Sequence, residues 1–311
     1  PEHTRLRGLV FKTFSARRME AMRPRIQNIA DGLIDKVIEQ GEMDIMRDFA
    51  HPLPAIVICE LLGIPEADRS QFVTESKVNG RILDPTPMSP EELEETNAGF
   101  LEMEAYFADI CEQRRQNPQD DLLTALVQSE TEDGKLNKEE LVANIFLLFG
   151  AGHETTVNLI GNGLLALCKN PEQLELLKSD FSLMPNAVEE FLRYDSSVQL
   201  TSRVAFEDVE LGDQTIPANS EVLTLLGAGN RDPEVFPEPD KLDITRPGVK
   251  PLSFGGGIHF CLGAQLARIE GAIALETILR RLPNLQLANL DKPDWKITMT
   301  LRGLTTLPAT W

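Results

Sequence analysis

The stretch Phe254–Gly263, FGGGIHFCLG, carries the most information about the fold of this 311-residue chain. Its glycines and its one cysteine precede a helical pattern that runs from about Cys261 to Leu282. A helix N-terminus stabilises a thiolate through its dipole and its N–H groups, and glycines let a flat ligand approach the backbone closely. The stretch therefore predicts that Cys261 holds a ligand. A buried structural cysteine is the alternative, and a phosphate-binding loop is disfavoured because the strand–GxGxxG–helix pattern is missing.

A second informative stretch, AGHETT at residues 151–156, lies within the apolar helical pattern Leu141–Cys168. Threonine hydroxyls can bond back to a carbonyl of the preceding turn and open a helix, which would leave a groove for a small molecule and water. An acid beside that groove could pass protons inward, so Glu154 and Thr155 are candidate catalytic residues. Glycines that allow close helix packing, together with a solvent-facing Glu154, explain the same residues about equally well. His153 lacks the HExxH spacing of a zinc site and is interpreted as a flanking residue.

Helical periodicity dominates the first two thirds of the chain, and β-branched residues follow it. One apolar helical face is predicted to end at Gly41, and further helices are predicted to begin at Ser89-Pro90, Asn137, Asn170-Pro171 and Pro185. Short strands are predicted in TSRVAFEDVELGDQTIP (201–217), with a turn at Gly212-Asp213, in EVLTLL (221–226) and at Trp295–Leu301. The predicted fold class is mainly α with small β-sheets, in a single domain over residues 1–311.

Charge and cysteine usage exclude several classes of protein. The chain has 30 Lys and Arg against 49 Asp and Glu, a net charge of −19, which disfavours a nucleic-acid binder. The acidity is uneven, because residues 1–25 carry seven basic and two acidic side chains. The cysteines form no CxxC pair, which favours a reduced, cytoplasmic setting. His153 and Glu154 interrupt the longest apolar stretch, so no membrane span is predicted.

Five motifs, taken in order, make the sequence resemble a cytochrome P450 of the soluble bacterial type. They are AGHETT (151–156), EEFLR (189–193), TSR (201–203), NRDPEVFPEPD (230–240) and FGGGIHFCLG (254–263). The resemblance covers the whole chain and implies the cytochrome P450 fold. Because Pro1–Arg7 is similar to the segment that enters the family's C helix, the N-terminal portion of this fold is expected to be absent.

The resemblance also implies a cofactor, haem b, with Cys261 as the thiolate ligand of its iron. Phe254 matches the aromatic residue packed beside that thiolate. Four basic residues match positions that bind the haem propionates, namely His3, Arg7, Arg203 and His259. The residues matched to the haem site are His3, Arg7, Ala151, Arg203, Phe254, Gly255, His259, Cys261 and Gly263.

The same resemblance implies two groups of residues, each containing one acid, with different roles. Glu154 and Thr155 match the acid and alcohol that deliver protons while O2, the co-substrate, is reduced. Glu190 and Arg193, together with Arg246, match an ion-pair network behind the haem. We expect that network to serve folding and haem retention rather than catalysis.

The implied function is a haem-thiolate monooxygenase that inserts one oxygen atom of O2 into a small hydrophobic substrate. Electrons are expected from a reduced ferredoxin and its ferredoxin reductase, and the basic residues 1–25 suit docking of an acidic ferredoxin near Cys261. The segments similar to substrate-facing parts of the family are Val78–Pro90, Leu147, Leu148, Ala151 and Val198–Leu200. The alternatives are a non-catalytic truncated haem-binding fragment and a peroxide-driven hydroxylase or isomerase of the same fold.

Overall fold

The structure is a computed structural model, and it describes residues 2–69, 86–128 and 136–311. The α-helices are α1 (Glu2–Thr13), α2 (Ala16–Ala21), α3 (Arg23–Asp35), α4 (Pro52–Leu62), α5 (Pro90–Gln116), α6 (Leu122–Gln128), α7 (Lys138–Lys169), α8 (Pro171–Ser179), α9 (Met184–Tyr194), α10 (Leu226–Gly229) and α11 (Ala264–Arg281). The strands are β1 (Glu42–Asp44), β2 (Thr201–Val204), β3 (Val209–Leu211), β4 (Gln214–Ile216), β5 (Glu221–Thr224), β6 (Gln286–Leu287), β7 (Asp294–Trp295), β8 (Leu304–Thr306) and β9 (Pro308–Thr310). The predicted fold class, mainly α with small sheets, is confirmed.

The two longest helices begin at capping boxes. The Ser89 side chain accepts a hydrogen bond from the Glu92 N–H, and the Glu92 carboxylate accepts one from the Ser89 N–H at 2.7 Å. Asn137 and Glu140 repeat this arrangement at the start of α7. Each box bonds N–H groups that a helix N-terminus otherwise leaves without partners. The predicted helix starts at Ser89-Pro90 and Asn137 are therefore confirmed.

Helix α7 is the centre of the molecule. Its 32 residues span about 48 Å, and it packs against α4, α5, α9 and α11. At Gly163 a β-carbon would lie 3.2 Å from the Phe191 ring and 3.3 Å from Leu275, so glycine allows α9 and α11 to pack closely on this helix. None of the helices described is both long and apolar enough to span a membrane.

The sheets are small and antiparallel. Strand β9 lies between β1 and β6, so the C-terminal segment pairs with residues 42–44. The other pairs are β2 with β5, β3 with β4 and β7 with β8. The predicted turn at Gly212 connects β3 and β4, with a φ of 62° that glycine adopts at low cost.

The predicted strand over Trp295–Leu301 is wrong for most of its length. Only its first residue pairs with β8, and Leu301 forms an isolated bridge to Val198. The chain between them turns back, and the N–H of Lys296 donates to the Gly303 carbonyl at 2.9 Å. Strands β7 and β8 and this turn form one unit, residues 294–306, which we call the C-terminal hairpin.

Candidate active site

An apolar cavity of about 630 Å³ lies between α1, α7 and the loop that contains Cys261. The predicted site residues that line it are His3, Arg7, Ala151, Thr155, Arg203, Phe254, Gly255, His259, Cys261 and Gly263. The predicted substrate-facing residues Leu147, Leu148 and Val198 line it too. Most of the predicted stretch Val78–Pro90 lies outside the described residues. The structure thus brings nearly all of the predicted site to one cavity, and Glu154 is the exception.

The Cys261 loop is held by its own backbone. The N–H of Cys261 donates to the Phe254 carbonyl at 2.9 Å, which closes the loop that the glycines open. Gly255 and Gly257 have φ values of 66° and 62°, in the left-handed region where a side chain would be strained. Because α11 begins only at Ala264, the cysteine lies in the loop, three residues before the helix rather than in its first turn.

The Cys261 thiol experiences opposing influences. Burial raises its pKa, while the N–H groups of Gly263 and Ala264 and the charges of Arg268 and Arg7 act to lower it. The sequence predicted the stabilising N–H groups, and they are present. In the protein alone, however, burial outweighs them, because the side chain is largely withdrawn from water. A bound cation would shift this balance towards the thiolate.

Four basic side chains gather at one edge of the cavity. The rings of His3 and His259 have centroids 4.5 Å apart. Burial and then the charges of His3, Arg203 and Arg7 lower the pKa of His259. Arg7 also donates to the carbonyl of Phe260. Arg7 and Arg203 supply the positive charge at this edge and the two imidazole rings can donate hydrogen bonds, so the edge suits a ligand with carboxylates.

Thr155 and Thr156 face the cavity from α7. Their hydroxyls donate to the carbonyls of Ala151 and Gly152 at 3.2 and 3.4 Å, as the sequence predicted. The predicted opening of the helix is wrong, because α7 continues unbroken from Lys138 to Lys169.

Glu270 is a cavity residue that the sequence reasoning missed. It lies on α11, it is 1% exposed, and its Oε2 atom has no hydrogen-bond partner among the residues described. Burial raises the pKa of this carboxyl well above its usual value. The sequence does contain a signal for this residue, because an acid interrupts the apolar run IEGAIAL (269–275) on the helix that follows Cys261.

The predicted ion-pair network forms as expected. Arg193 donates through Nε and Nη2 to the two carboxylate oxygens of Glu190, each at 2.8 Å, and Arg246 Nε donates to Glu190 Oε2 at 3.2 Å. The side chains of Glu190 and Arg193 are both 0% exposed. We call these three residues the Glu190 network.

A scan against protein-family models matches residues 1–308 to the cytochrome P450 model. The chain belongs to the cytochrome P450 family. It is 47% identical over 313 aligned positions to the vitamin D(3) 25-hydroxylase of Pseudonocardia autotrophica, covering 100% of this chain and 76% of that protein. It is 45% identical over 311 positions to the 6-deoxyerythronolide B hydroxylase of Saccharopolyspora erythraea, covering 99% of this chain and 76% of that protein.

Solved P450 structures agree with this assignment. P450BioI in complex with hexadec-9Z-enoic acid ligated acyl carrier protein superposes with a TM-score of 0.95 at 41% identity, covering 100% of this chain and 79% of that one. The P450 named bacillaene polyketide synthase cytochrome P450 PksS, from Bacillus subtilis 168, gives a TM-score of 0.93 at 42% identity, covering 100% of this chain and 79% of that one. This P450 is accordingly an oxidoreductase of the monooxygenase class that uses haem and O2.

The residues present fit a haem. The cavity is large and mainly apolar, which suits a porphyrin, and its basic edge suits two carboxylates. Cys261 offers a sulfur ligand at the cavity wall, on a loop whose glycines carry no β-carbon towards it. The individual roles of these residues remain predictions.

Proposed function

We propose that this P450 is a haem-thiolate monooxygenase that inserts one oxygen atom of O2 into a small hydrophobic substrate, with Cys261 as the iron ligand. The arrangement of the cavity carries the proposal. Cys261 lies at one wall, Thr155 lies on α7 at another, and the basic residues form an edge. A further part of the proposal is that residues 1–311 act as one haem-binding domain, which the pairing of β1 with β9 supports.

Each group has a defined task in this proposal. Haem iron, when bound, supplies the one-electron and dioxygen chemistry. His3, Arg7, Arg203 and His259 would hold its carboxylates, and Phe254 would pack beside the sulfur of Cys261. The apolar wall would exclude bulk water from the reacting atoms.

Thr155 is proposed as the group that orders a proton-bearing water in the cavity. Its hydroxyl donates to the Ala151 carbonyl at 3.2 Å, so its oxygen lone pairs can accept a hydrogen bond from water on the cavity side. Glu154 is proposed as the acid that supplies protons to this water.

The test of the iron ligand is the difference spectrum of the dithionite-reduced protein with and without carbon monoxide. A strongly red-shifted Soret band is expected for the unaltered chain, and Cys261→Ala should abolish it. Cys168→Ala is the matched control, because this partly exposed thiol lies near the end of α7, outside the cavity lining. Survival of the band in Cys261→Ala would overturn the assignment.

We propose an acidic ferredoxin, with its reductase, as the electron donor. The excess of basic residues in 1–25 and the contact of Arg7 with the Phe260 carbonyl support docking beside the Cys261 loop. Arg23 and Arg25 form ion pairs with Glu20 and Glu60, which reduces the net positive charge of this face. Electrostatic steering should therefore be moderate.

The donor is tested by the rate at which a plant-type ferredoxin reduces the protein at low and at high salt. We expect the rate to fall as salt rises, and Arg17→Glu to lower the low-salt rate severalfold. Lys292→Glu is the control, because it makes the same charge change at an exposed site on the C-terminal segment. Equal rates in all proteins would contradict docking at residues 1–25.

The substrate is proposed to be a hydrophobic molecule that fits an apolar cavity. The names of the relatives describe hydroxylation of vitamin D(3) and of 6-deoxyerythronolide B, and one structural neighbour holds an acyl chain on a carrier protein. We also propose a cytoplasmic location, to which the free thiols of all four cysteines are suited.

A further inference from the structure

Two histidines and an acid lie close together outside the cavity lining. A ring nitrogen of His51, a ring nitrogen of His153 and a carboxylate oxygen of Glu154 are all within 4.8 Å of one another. His153 and Glu154 are on α7, and His51 is on the turn immediately before α4. The residues that line the cavity include none of the three. We call His51, His153 and Glu154 the His51 cluster.

The His153 ring has one bonded nitrogen and one that is left over. Its Nε2 atom lies 2.9 Å from the His51 carbonyl oxygen. Because a carbonyl oxygen can only accept, Nε2 carries the hydrogen and Nδ1 carries a lone pair. The Nδ1 atom is buried and has no hydrogen-bond partner among the residues described. A buried acceptor without a partner is rare in folded proteins, and a bound ion would explain it.

The hydrogen bond of His153 is the one that metal-binding histidines make. Such a histidine donates its other N–H to a backbone carbonyl or a carboxylate, which fixes the tautomer and the orientation of the ring. Burial lowers the pKa of His153, so the ring is the neutral imidazole that metals bind. The His51 backbone thus orients His153, and the His51 ring, with its centroid 5.8 Å from that of His153, supplies a second imidazole.

Two imidazoles and one carboxylate form a ligand set that suits zinc. Sites with three protein ligands leave a fourth position for water. Zinc–ligand bonds of about 2.0–2.1 Å place the ligand atoms of a tetrahedral site about 3.3 Å apart, so these side chains would draw together by up to about 1.5 Å. The His51 side chain is partly exposed, which gives an ion a route from solvent.

Lys296 is a cation that competes with a metal for Glu154. Its ammonium contacts Oε1 of the carboxylate and keeps the carboxylate ionised, which is the form that binds metals. A carboxylate has two acceptor oxygens, so Oε2 can bind an ion while Oε1 stays with the ammonium. The positive charge of Lys296 weakens the binding of a dication at this distance, and its removal should strengthen that binding.

We propose that the His51 cluster is a binding site for a divalent transition-metal ion, and that Zn²⁺ is the ion its ligands fit. The bound ion would join α7 to the turn before α4 through residues that are about 100 positions apart in the sequence. The site is separate from the cavity. It therefore goes beyond the proposed monooxygenase function and does not depend on it.

Zinc binding is measured by equilibrium dialysis of the haem-loaded protein against zinc-buffered solutions. We expect one Zn²⁺ per chain. His51→Gln, His153→Gln and Glu154→Gln should each raise the dissociation constant about tenfold or more, since the loss of even an outer-shell partner has an effect of this size. Glu139→Gln is the matched control, because it removes an exposed acid from the same helix and should leave the affinity unchanged.

The proposal fails if the unaltered protein binds no zinc, or if the three cluster variants bind it as tightly as their parent. His3 and His259 are the other two histidines of the chain, and their rings are neighbours. His3→Gln is measured for this reason. Loss of binding in His3→Gln, with binding kept in His153→Gln, would place the ion at the cavity edge and overturn the assignment.

Lys296 provides a test in which the affinity should rise. We expect Lys296→Met to lower the zinc dissociation constant about threefold to tenfold, because a positive charge next to the ion is removed. Lys292→Met, which removes an exposed lysine four residues earlier, should have little effect. An unchanged or weaker affinity in Lys296→Met would mean that the ion does not lie beside Glu154, and would overturn the proposal.

The ligands are identified by X-ray absorption at the zinc edge, which the haem iron does not obscure. We expect nitrogen and oxygen ligands at about 2.0–2.1 Å and the scattering pattern of two imidazoles. A sulfur ligand at about 2.3 Å would assign the zinc to a cysteine and overturn the proposal.

The carbon monoxide spectrum of the same samples separates this inference from the proposed function. If the red-shifted band is present and zinc does not bind to the cluster, the zinc site is wrong and the monooxygenase proposal stands. If the band is absent and the cluster variants weaken zinc binding as expected, the proposed function is wrong and the zinc site stands. Circular dichroism of each variant shows that its fold is kept.

Discussion

The Glu190 network and a second group, Glu154, Asn158, Asn162 and Lys296, which we call the Glu154 cluster, each contain an ion pair on a helix. They differ in how fully their polar atoms are bonded. Arg193 donates to both oxygens of Glu190 and, with its remaining N–H groups, to the carbonyls of Asn230, Pro239 and Lys241. In the Glu154 cluster, the buried Asn158 Nδ2 and Asn162 Oδ1 atoms have no partner among the residues described.

This difference distinguishes a fixed structure from one that can exchange partners. Every rearrangement of the Glu190 network would break strong bonds without forming new ones, since its groups are already bonded and buried. The Glu154 cluster holds unused hydrogen-bonding capacity and touches solvent through Lys296. Its members can therefore change partners at lower cost.

The largest effect on stability is expected at Arg193, in the Glu190 network. We expect Arg193→Met to reduce the free energy of unfolding by about 3–5 kcal/mol, because it leaves Glu190 charged and buried with Arg246 as its remaining cation. Urea unfolding followed by circular dichroism measures this loss. A loss below about 1 kcal/mol would mean that the network is not the fixed element described here.

The docking of the C-terminal hairpin on α7 is tested at Gly303. A β-carbon there would overlap the side chain of Asn158, which is 0% exposed, so this amide would have to shift within a packed interface. We expect Gly303→Ala to cost about 1–3 kcal/mol of unfolding free energy. Gly32→Ala is the control, since this α3 glycine has open space around it and should gain about 0.5–1 kcal/mol. A Gly303→Ala protein as stable as its parent would show that the hairpin is not packed on Asn158.

Glu270 is a further buried acid, and unlike Glu190 and Glu154 it has no cationic partner among the residues described. Burial raises its pKa, so the folded state keeps the proton at pH values where the unfolded chain has released it. Its favourable contribution is complete below the unfolded value of about 4.3 and is lost as pH rises towards the raised pKa. We expect Glu270→Gln to remove this decline and to be more stable near neutral pH by about 1–2 kcal/mol.

Urea unfolding of both proteins between about pH 5 and pH 8 measures the difference for Glu270. The two stability curves should converge towards acid pH. Parallel curves across the range would contradict a neutral, buried Glu270, and would point to a partner that bonds the ionised carboxylate.

The smallest effect is expected at an exposed pair. Arg23 and Glu20 form an ion pair three residues apart, and their side chains are 48% and 45% exposed. Arg23→Ala should change the unfolding free energy by about 0.2–0.5 kcal/mol, and salt should abolish the difference. A larger, salt-resistant loss would mean that exposure does not determine how much these ion pairs contribute to the unfolding free energy.

Local sequence signals predicted most of the helices, and the family resemblance identified fewer than half of the residues that line the cavity. Capping residues such as Ser89 and Asn137 act within a few residues, so their effect is visible in the sequence. Strand β9 was missed because it contains Pro308, which lowers strand propensity, and because its partner β1 is more than 260 residues away.

The position of Glu154 could not be predicted for a similar reason. The motif places an acid next to an alcohol, and it does not say which helix face each occupies once a distant hairpin packs on α7. Lys296 lies 142 residues further along the chain, in a stretch that was interpreted as a strand. The contact that sets the carboxylate's orientation is thus a product of tertiary packing.

The C-terminal hairpin has a consequence for optical spectroscopy. The chain has two tryptophans, Trp295 in β7 and Trp311 at the end of the chain. The guanidinium of Arg302 lies 3.7 Å from the centroid of the Trp295 ring, and the Trp311 indole donates to the Ile38 carbonyl at 3.3 Å. With Trp311→Phe, the intrinsic emission of the whole protein comes from a single indole on the hairpin. A molecule whose binding lifts the hairpin from α7 therefore changes that emission, and no added dye is needed to follow it.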